Sequence, residues 1–173
     1  MSSAITGVSK FVSKGYKDLL RLKYDLECIL DCESEEFGNL DLMETAKSWV
    51  KDGVLRITIN DYLPRNRFVT SDVRDSWIGI IAKTLLDKDI HFEKALCIIV
   101  NYLPREGWDV DNRGYKIIID ALRYARVIQN DTFRELAFMV LGEVDLDNPR
   151  TEIYVREFPG DVKSFTSTVL NSL

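Results

Sequence analysis

Proline, glycine, histidine and cysteine are all scarce in this chain: 4 Pro, 9 Gly, 1 His and 3 Cys among 173 residues. So little proline and glycine, beside 46% apolar and 29% charged residues, excludes disordered, collagen-like and low-complexity classes. Three cysteines leave one unpaired in any disulfide scheme, so reduced thiols in a cytosolic compartment are expected. The first residues show no apolar run leading to a small-residue cleavage site, and no secretory leader is expected. Long apolar runs are missing as well. Ile80-Ile81-Ala82 and the stretch from Ala95 to Val100 fall far short of the roughly 20 residues that a membrane helix needs. The expectation is a soluble intracellular globular protein, of one compact domain or two small ones.

Catalytic chemistry is thin for the same reason. His91 is the only histidine, so the commonest general base occurs once, and beside Asp89 it reads as a surface residue of a first helical turn. No glycine-rich phosphate loop, nucleophile elbow or histidine-based metal motif is present. Cys28 and Cys32 stand four apart and could be joined by Cys97 and His91 around zinc. The short paired spacings of structural zinc sites are absent, so these are read as half-buried thiols. Glu33, Glu35 and Glu36 read as a solvated acidic turn. No enzyme, metal or cofactor is expected.

What the chain does have is helical spacing. Val8, Val12, Leu19, Leu22, Leu26 and Ile29 mark one face of a long helix from Val8 to Leu30. A second helix is expected from Leu40 to about Ile59, with Leu42, Ala46, Trp49 and Val50 apolar and Gly53 near its end. Thr70 or Ser71 caps a third, carrying Val73, Trp77, Ile80, Ile81 and Leu85. A fourth runs from about Ile90 to Asn101. A fifth, capped by Asp111 or Asn112, carries Tyr115, Ile118, Ile119, Leu122 and Ala125. Thr132 and Glu135 form a capping box before a sixth helix, Phe133 to about Leu141. A short β-branched run, Ile153 to Val155, precedes a last helix that Asp161 caps. No strand pair with a hairpin turn is read, and the expected class is all-α.

Tyr62-Leu63-Pro64-Arg65 recurs as Tyr102-Leu103-Pro104-Arg105. Each copy is followed by an aromatic, Phe68 or Trp108, and by an Asp and an Arg, Asp72 with Arg74 and Asp111 with Arg113; further on, Phe92 matches Phe133. The reading is a duplicated helix-corner-helix unit in two similar small helical halves, 1–88 and 89–173. Pro64 and Pro104 should each lie just beyond a helix end, with Tyr62 and Tyr102 on equivalent surfaces.

Charge is segregated although the net is only −5: residues 1–24 carry +4, 25–52 carry −7, 53–126 carry +2 and 127–173 carry −4. Lys10, Lys14, Lys17 and Arg21 make a basic stripe on the first helix, which reads equally as its solvated flank. Arg65, Arg67 and Arg105 stand at the repeated corners, and Arg113, Lys116, Arg123 and Arg126 line the fifth helix with Asp120 as the interruption. A corner arginine can serve the free carbonyls of the preceding element. Repeated arginines beside helix N-termini also suit phosphate forks, which points to a polyanion.

The all-helical pattern, the size, the two corners and the segment from Asn112-Arg113-Gly114 through Phe133-Arg134-Glu135-Leu136-Ala137 together resemble closterovirus RNA silencing suppressors of the beet yellows virus type, over about residues 40–142. The resemblance implies a helical protein of two similar halves in the host cytoplasm. It implies a ring-shaped homo-oligomer, with eight copies as the candidate number, that binds and sequesters small double-stranded RNA. Basic faces turned inward would reconcile such a ring with the acidic net charge. Binding would run through phosphates, independent of base sequence and sensitive to salt. The expected RNA contacts are Arg65, Arg67, Arg105 and Arg113, aided by Lys116 and Arg123, on one connected basic surface. Subunit contacts are expected through the first helix or residues 161–173. The alternative is a helical protein-interaction adaptor without nucleic acid, with Trp49, Trp77 and Trp108 as candidate anchors.

Overall fold

Asp52 and Gly53 both take positive φ, 53° and 72°, the combination that a two-residue type I′ hairpin turn requires. The turn joins β1 (Ala46–Lys51) to β2 (Val54–Ile59), antiparallel from Lys51↔Val54 to Ala46↔Ile59. The helix expected to run up to Ile59 is therefore a strand pair over these residues. Leu55, Ile57 and Ile59 alternate with half-buried positions, which gives β2 one buried face. The computed structural model describes residues 46–104 and 109–171. The expected first helix with its basic stripe, Cys28, Cys32, the acidic turn, Arg105 and Trp108 lie outside them.

Three expected helices form. Thr70 accepts a hydrogen bond from the Val73 N–H at 3.3 Å and opens α1 (Ser71–Thr84). α2 (Tyr115–Tyr124) follows Gly114, which provides no side-chain cap. The Asp161 carboxylate accepts from the N–H groups of Lys163 and Ser164, at 2.8 and 3.1 Å, and starts α3 (Val162–Asn171).

Two others are strands. β3 (Ala95–Leu103) replaces the end of the expected fourth helix, and β4 (Leu136–Val144) replaces most of the sixth. The Thr132 and Glu135 side chains do bond each other, and the Leu136 N–H reaches the Thr132 carbonyl at 2.9 Å. That turn leads into β4 instead of a helix. β5 (Arg150–Glu157) contains the β-branched run. The class is mixed α/β, and the all-α expectation is corrected.

The sheet order is β1-β2-β5-β3-β4. β5 pairs antiparallel with both β2 and β3, and β3 pairs parallel with β4, so β2, β3 and β4 share one direction. Leu55, Ile57, Ile59, Ala95, Cys97, Ile99, Ile153 and Val155 form a continuous apolar surface from three strands. Trp77 and Ile81 of α1 and Ile118 and Leu122 of α2 pack upon it, and each is at most 3% exposed. Burying each such side chain is worth about 1.5–3 kcal/mol. Strands before residue 88 and strands after it join this one sheet.

The repeated corner also changes meaning. Tyr62-Leu63-Pro64-Arg65 follows β2, and Tyr102-Leu103-Pro104 ends β3, at the same end of two parallel strands on either side of β5. Leu63 and Leu103 are both buried, at 0% and 4% exposure. The duplicated element is thus strand-corner-helix. Both prolines lie outside helices, beyond strands rather than beyond the expected helix ends. The Phe92 and Phe133 match does not extend to structure, since Phe92 is 6% exposed and Phe133 84%.

Candidate functional site

The first corner is clamped to the start of α2. The Gly114 N–H donates to the Pro64 carbonyl at 2.9 Å, the Asn66 N–H donates to the Asn112 carbonyl at 3.1 Å, and Arg65 and Arg113 form a β-bridge. A Cβ on Gly114 would lie 3.0 Å from Val69 Cγ2, so close approach explains the glycine. Arg113 is only 5% exposed, and its Nη1 donates to the Leu63 carbonyl at 2.9 Å. Such a bond satisfies a carbonyl that the corner turns away from the sheet ladder. Two of the six expected RNA contacts are therefore neighbours, and one of them is a core support instead of a surface ligand. Arg67 lies on a short 3₁₀ turn (Asn66–Phe68), its guanidinium 4.6 Å from the Phe68 ring centre.

Lys116 and Arg123 come together on α2, joined by Arg74 from α1. Residues 116, 120 and 123 lie at i, i+4 and i+7, on one helical face. At its centre is Asp120, whose side chain is 10% exposed. Its carboxylate accepts from Arg74 Nη2 at 3.2 Å and Lys116 Nζ at 3.1 Å, with Arg123 Nη1 at 3.8 Å. Asp131, after α2, takes a second bond from Lys116 at 2.7 Å and lies 3.6 Å from Arg123. Three cations and two carboxylates leave one net positive charge. Arg74, Asp120 and Arg123, with Tyr124 and Gln129, also line a cavity of about 210 Å³.

Electrostatics follow from the geometry. The bonds to Asp131 and then Asp120 hold the Lys116 ammonium above its ordinary pKa. The same Lys116 bond holds the Asp131 carboxyl below the usual range. Both groups keep their charges through neutral pH, which suits electrostatic binding more than proton transfer. Among the described residues, no group of three acidic, histidine or cysteine side chains is arranged to hold a metal ion. Cys97 is buried in the core, where burial pushes its thiol up to about 12, and His91 Nδ1 lies 3.0 Å from the Arg126 carbonyl.

Asp120 and Asp131 are the site residues that sequence reasoning missed. Asp120 was legible through its spacing to Lys116 and Arg123, whereas nothing local ties Asp131 to this face.

No protein-family model matches the sequence, and no curated protein does. Among solved structures, the chain is similar to the periplasmic domain of Helicobacter pylori MotB (residues 90–256), with 14% identity and a TM-score of 0.40 over 76% of this chain and 91% of that one. A longer form of the MotB periplasmic domain (residues 64–256) gives 12% identity and a TM-score of 0.39, over 83% and 91%. The OmpA-like domain of FopA1 from Francisella tularensis gives 12% and 0.29, over 70% and 88%. Likenesses this weak assign the chain to no family.

The functional expectations are corrected with the fold. The viral suppressor of RNA silencing, its small duplex RNA, its ring-shaped oligomer, its host-cytoplasm location and the helical adaptor all rested on an all-helical chain. A five-stranded sheet overturns that premise. Of the adaptor's candidate anchors, Trp77 is a core residue at 3% exposure.

Proposed function

We propose that the domain binds a phosphate-bearing ligand at the α2 cluster, with a phosphoryl group taking the place of Asp131. The observation that carries this is the sharing of Lys116. Its ammonium bridges the nearly buried Asp120 and the outer Asp131, whose side chain is 32% exposed. Asp120 fixes the three cations from within, and Asp131 occupies the outward position that an incoming anion would take. The cavity of about 210 Å³ beside Arg74 and Arg123 has room for a phosphoryl group and part of the body that bears it. Arginine forks and a lysine point charge are the donors that phosphate favours.

Calorimetric titration with inorganic pyrophosphate, at low salt with and without Mg²⁺, tests the reading. Saturable binding is expected, weakened about tenfold or more by Lys116→Gln, which corresponds to about 1.4 kcal/mol. Asp131→Asn should tighten binding in the absence of Mg²⁺, since it removes the competing carboxylate. Absence of binding under both conditions, or binding indifferent to Lys116→Gln, refutes the proposal.

A further inference from the structure

We propose that β4 is a pairing edge for a second copy of this chain, the two β4 strands joining antiparallel about a twofold axis at Val140. The edge strands of the sheet are β1 and β4, and among the described residues each pairs with a single neighbour, β2 or β3. About half of a strand's N–H and C=O groups point to either side, so an edge offers a row of them to a further strand. β1 is guarded. It has six residues and carries exposed Lys47 and Lys51, the kind of charge that keeps an edge from recruiting a partner. β4 has nine residues and contains no lysine, arginine or proline. Its Phe138, Met139, Leu141 and Val144 are between 36% and 49% exposed. Phe138 belongs to the helix side, its ring centre 5.6 Å from that of Tyr115, whereas Met139 and Leu141 belong to the opposite side. Solvent against one side of a sheet accounts for a polar surface there. It does not account for exposed apolar residues on both.

The strand itself specifies the occupant. A twofold axis normal to the sheet keeps the two sides of one copy continuous with those of the other, so opposed residues must belong to the same side. Val140 is the middle residue of β4, and an axis there is the one register that pairs every position of the strand. Phe138 then lies opposite Gly142, Leu136 opposite Val144 and Met139 opposite Leu141. Glu143, the only charge in the strand, lies opposite Ala137. The Phe138 ring gains the space that glycine leaves, and no like charges oppose each other within the pair. A shift of two positions either way sets Phe138 against Val140 or Val144 and leaves strand ends unpaired. Two five-stranded sheets become one by this pairing. Nine residues from each copy fall short of the roughly 20–30 of a standard interface, so the expected dimer is reversible at micromolar concentration.

Light scattering on the full chain across the micromolar range tests the pairing. The mass should rise with concentration from one copy to two and stop there, because the pairing uses up the edge of each copy. Met139→Lys and Leu141→Glu, both at exposed positions, should each weaken the dimer about tenfold or more by setting a charge against an apolar partner. Mixed together, the two variants should associate with each other. The new ammonium of one copy then meets the new carboxylate of the other, and the remaining Leu141 meets the remaining Met139. Only the register centred on Val140 gives this rescue. If either variant fails to fold, hydrogen exchange on the unaltered protein decides. The amides of Leu136–Val144 should gain protection as concentration rises and those of Ala46–Lys51 should not. A protein that stays monomeric, as it would if a different chain took the edge, overturns the proposal. So does growth past two copies, a dimer indifferent to both variants, or a mixture of the variants that remains monomeric.

Discussion

Asp61 offers a quantitative test of how the sheet end is built. It follows β2 and is partly buried, and its carboxylate accepts the Tyr62 N–H at 2.8 Å. Burial outweighs that bond and raises its pKa from the ordinary 3.8 to about 6. Between those values the unfolded chain has already released the proton that the native protein retains. Unfolding free energy from this group is therefore complete below about pH 4 and is lost as pH rises towards 6. A displacement of about 2 on the pH scale, at about 1.4 kcal/mol for each, amounts to about 3 kcal/mol by pH 7. Asp61→Asn keeps an acceptor for the Tyr62 N–H and removes the ionisation. Urea unfolding of both proteins from pH 3 to 8 should give similar stability at the acid end. The variant should gain progressively above pH 4 and lead by up to about 3 kcal/mol at pH 7. Carboxylates such as Asp131, whose folded pKa is lowered, lose their contribution in acid in both proteins alike, so the difference isolates Asp61. A gap independent of pH, or a variant less stable throughout, would refute the reasoning.

Arg113→Met keeps most of the side-chain volume but leaves the Leu63 carbonyl without its charged donor, a loss of about 1.5–3 kcal/mol. The urea midpoint should fall accordingly; an unchanged midpoint would show that the buried guanidinium supports nothing. Cys97, fully buried with its thiol pushed up to about 12, should resist thiol-reactive reagents in the native protein and react after denaturation. Site-resolved mass spectrometry distinguishes it from Cys28 and Cys32, and rapid native labelling at Cys97 would contradict its packing.

α1 was legible because its signals agree: a threonine cap, then Trp77 and Ile81 one turn apart on the buried side. The hairpin was equally legible, through Asp52-Gly53 followed by alternating Leu55, Ile57 and Ile59. It was read as helix because Leu42, Ala46, Trp49 and Val50 happen to fit helical spacing. β3 was ambiguous on periodicity, since Ala95, Leu96 and Cys97 are buried in succession and the run to Val100 is apolar at every position. Its β-branched Ile98-Ile99-Val100 was the better guide. At β4 the local rule held and its usual sequel failed, because pairing with β3 outweighed the turn that Thr132 and Glu135 begin. In the site, Lys116 and Arg123 were visible as cations on one stripe. Asp131 became their partner only through the path of the chain after α2, which no spacing encodes.

The position of β5 sets the order in which the sheet can be completed during synthesis. Chain emerges from the ribosome N-terminus first, so β2, β3 and β4 exist before the strand that lies between β2 and β3. Until Arg150–Glu157 emerges, β2 and β3 each expose an unpaired edge towards the missing position. The Leu55↔Val155 pairing also spans 100 positions, a separation that slows closure of the sheet. A nascent chain stalled before residue 150 would therefore hold two adhesive strand edges open, making that interval the one in which chaperone protection matters most.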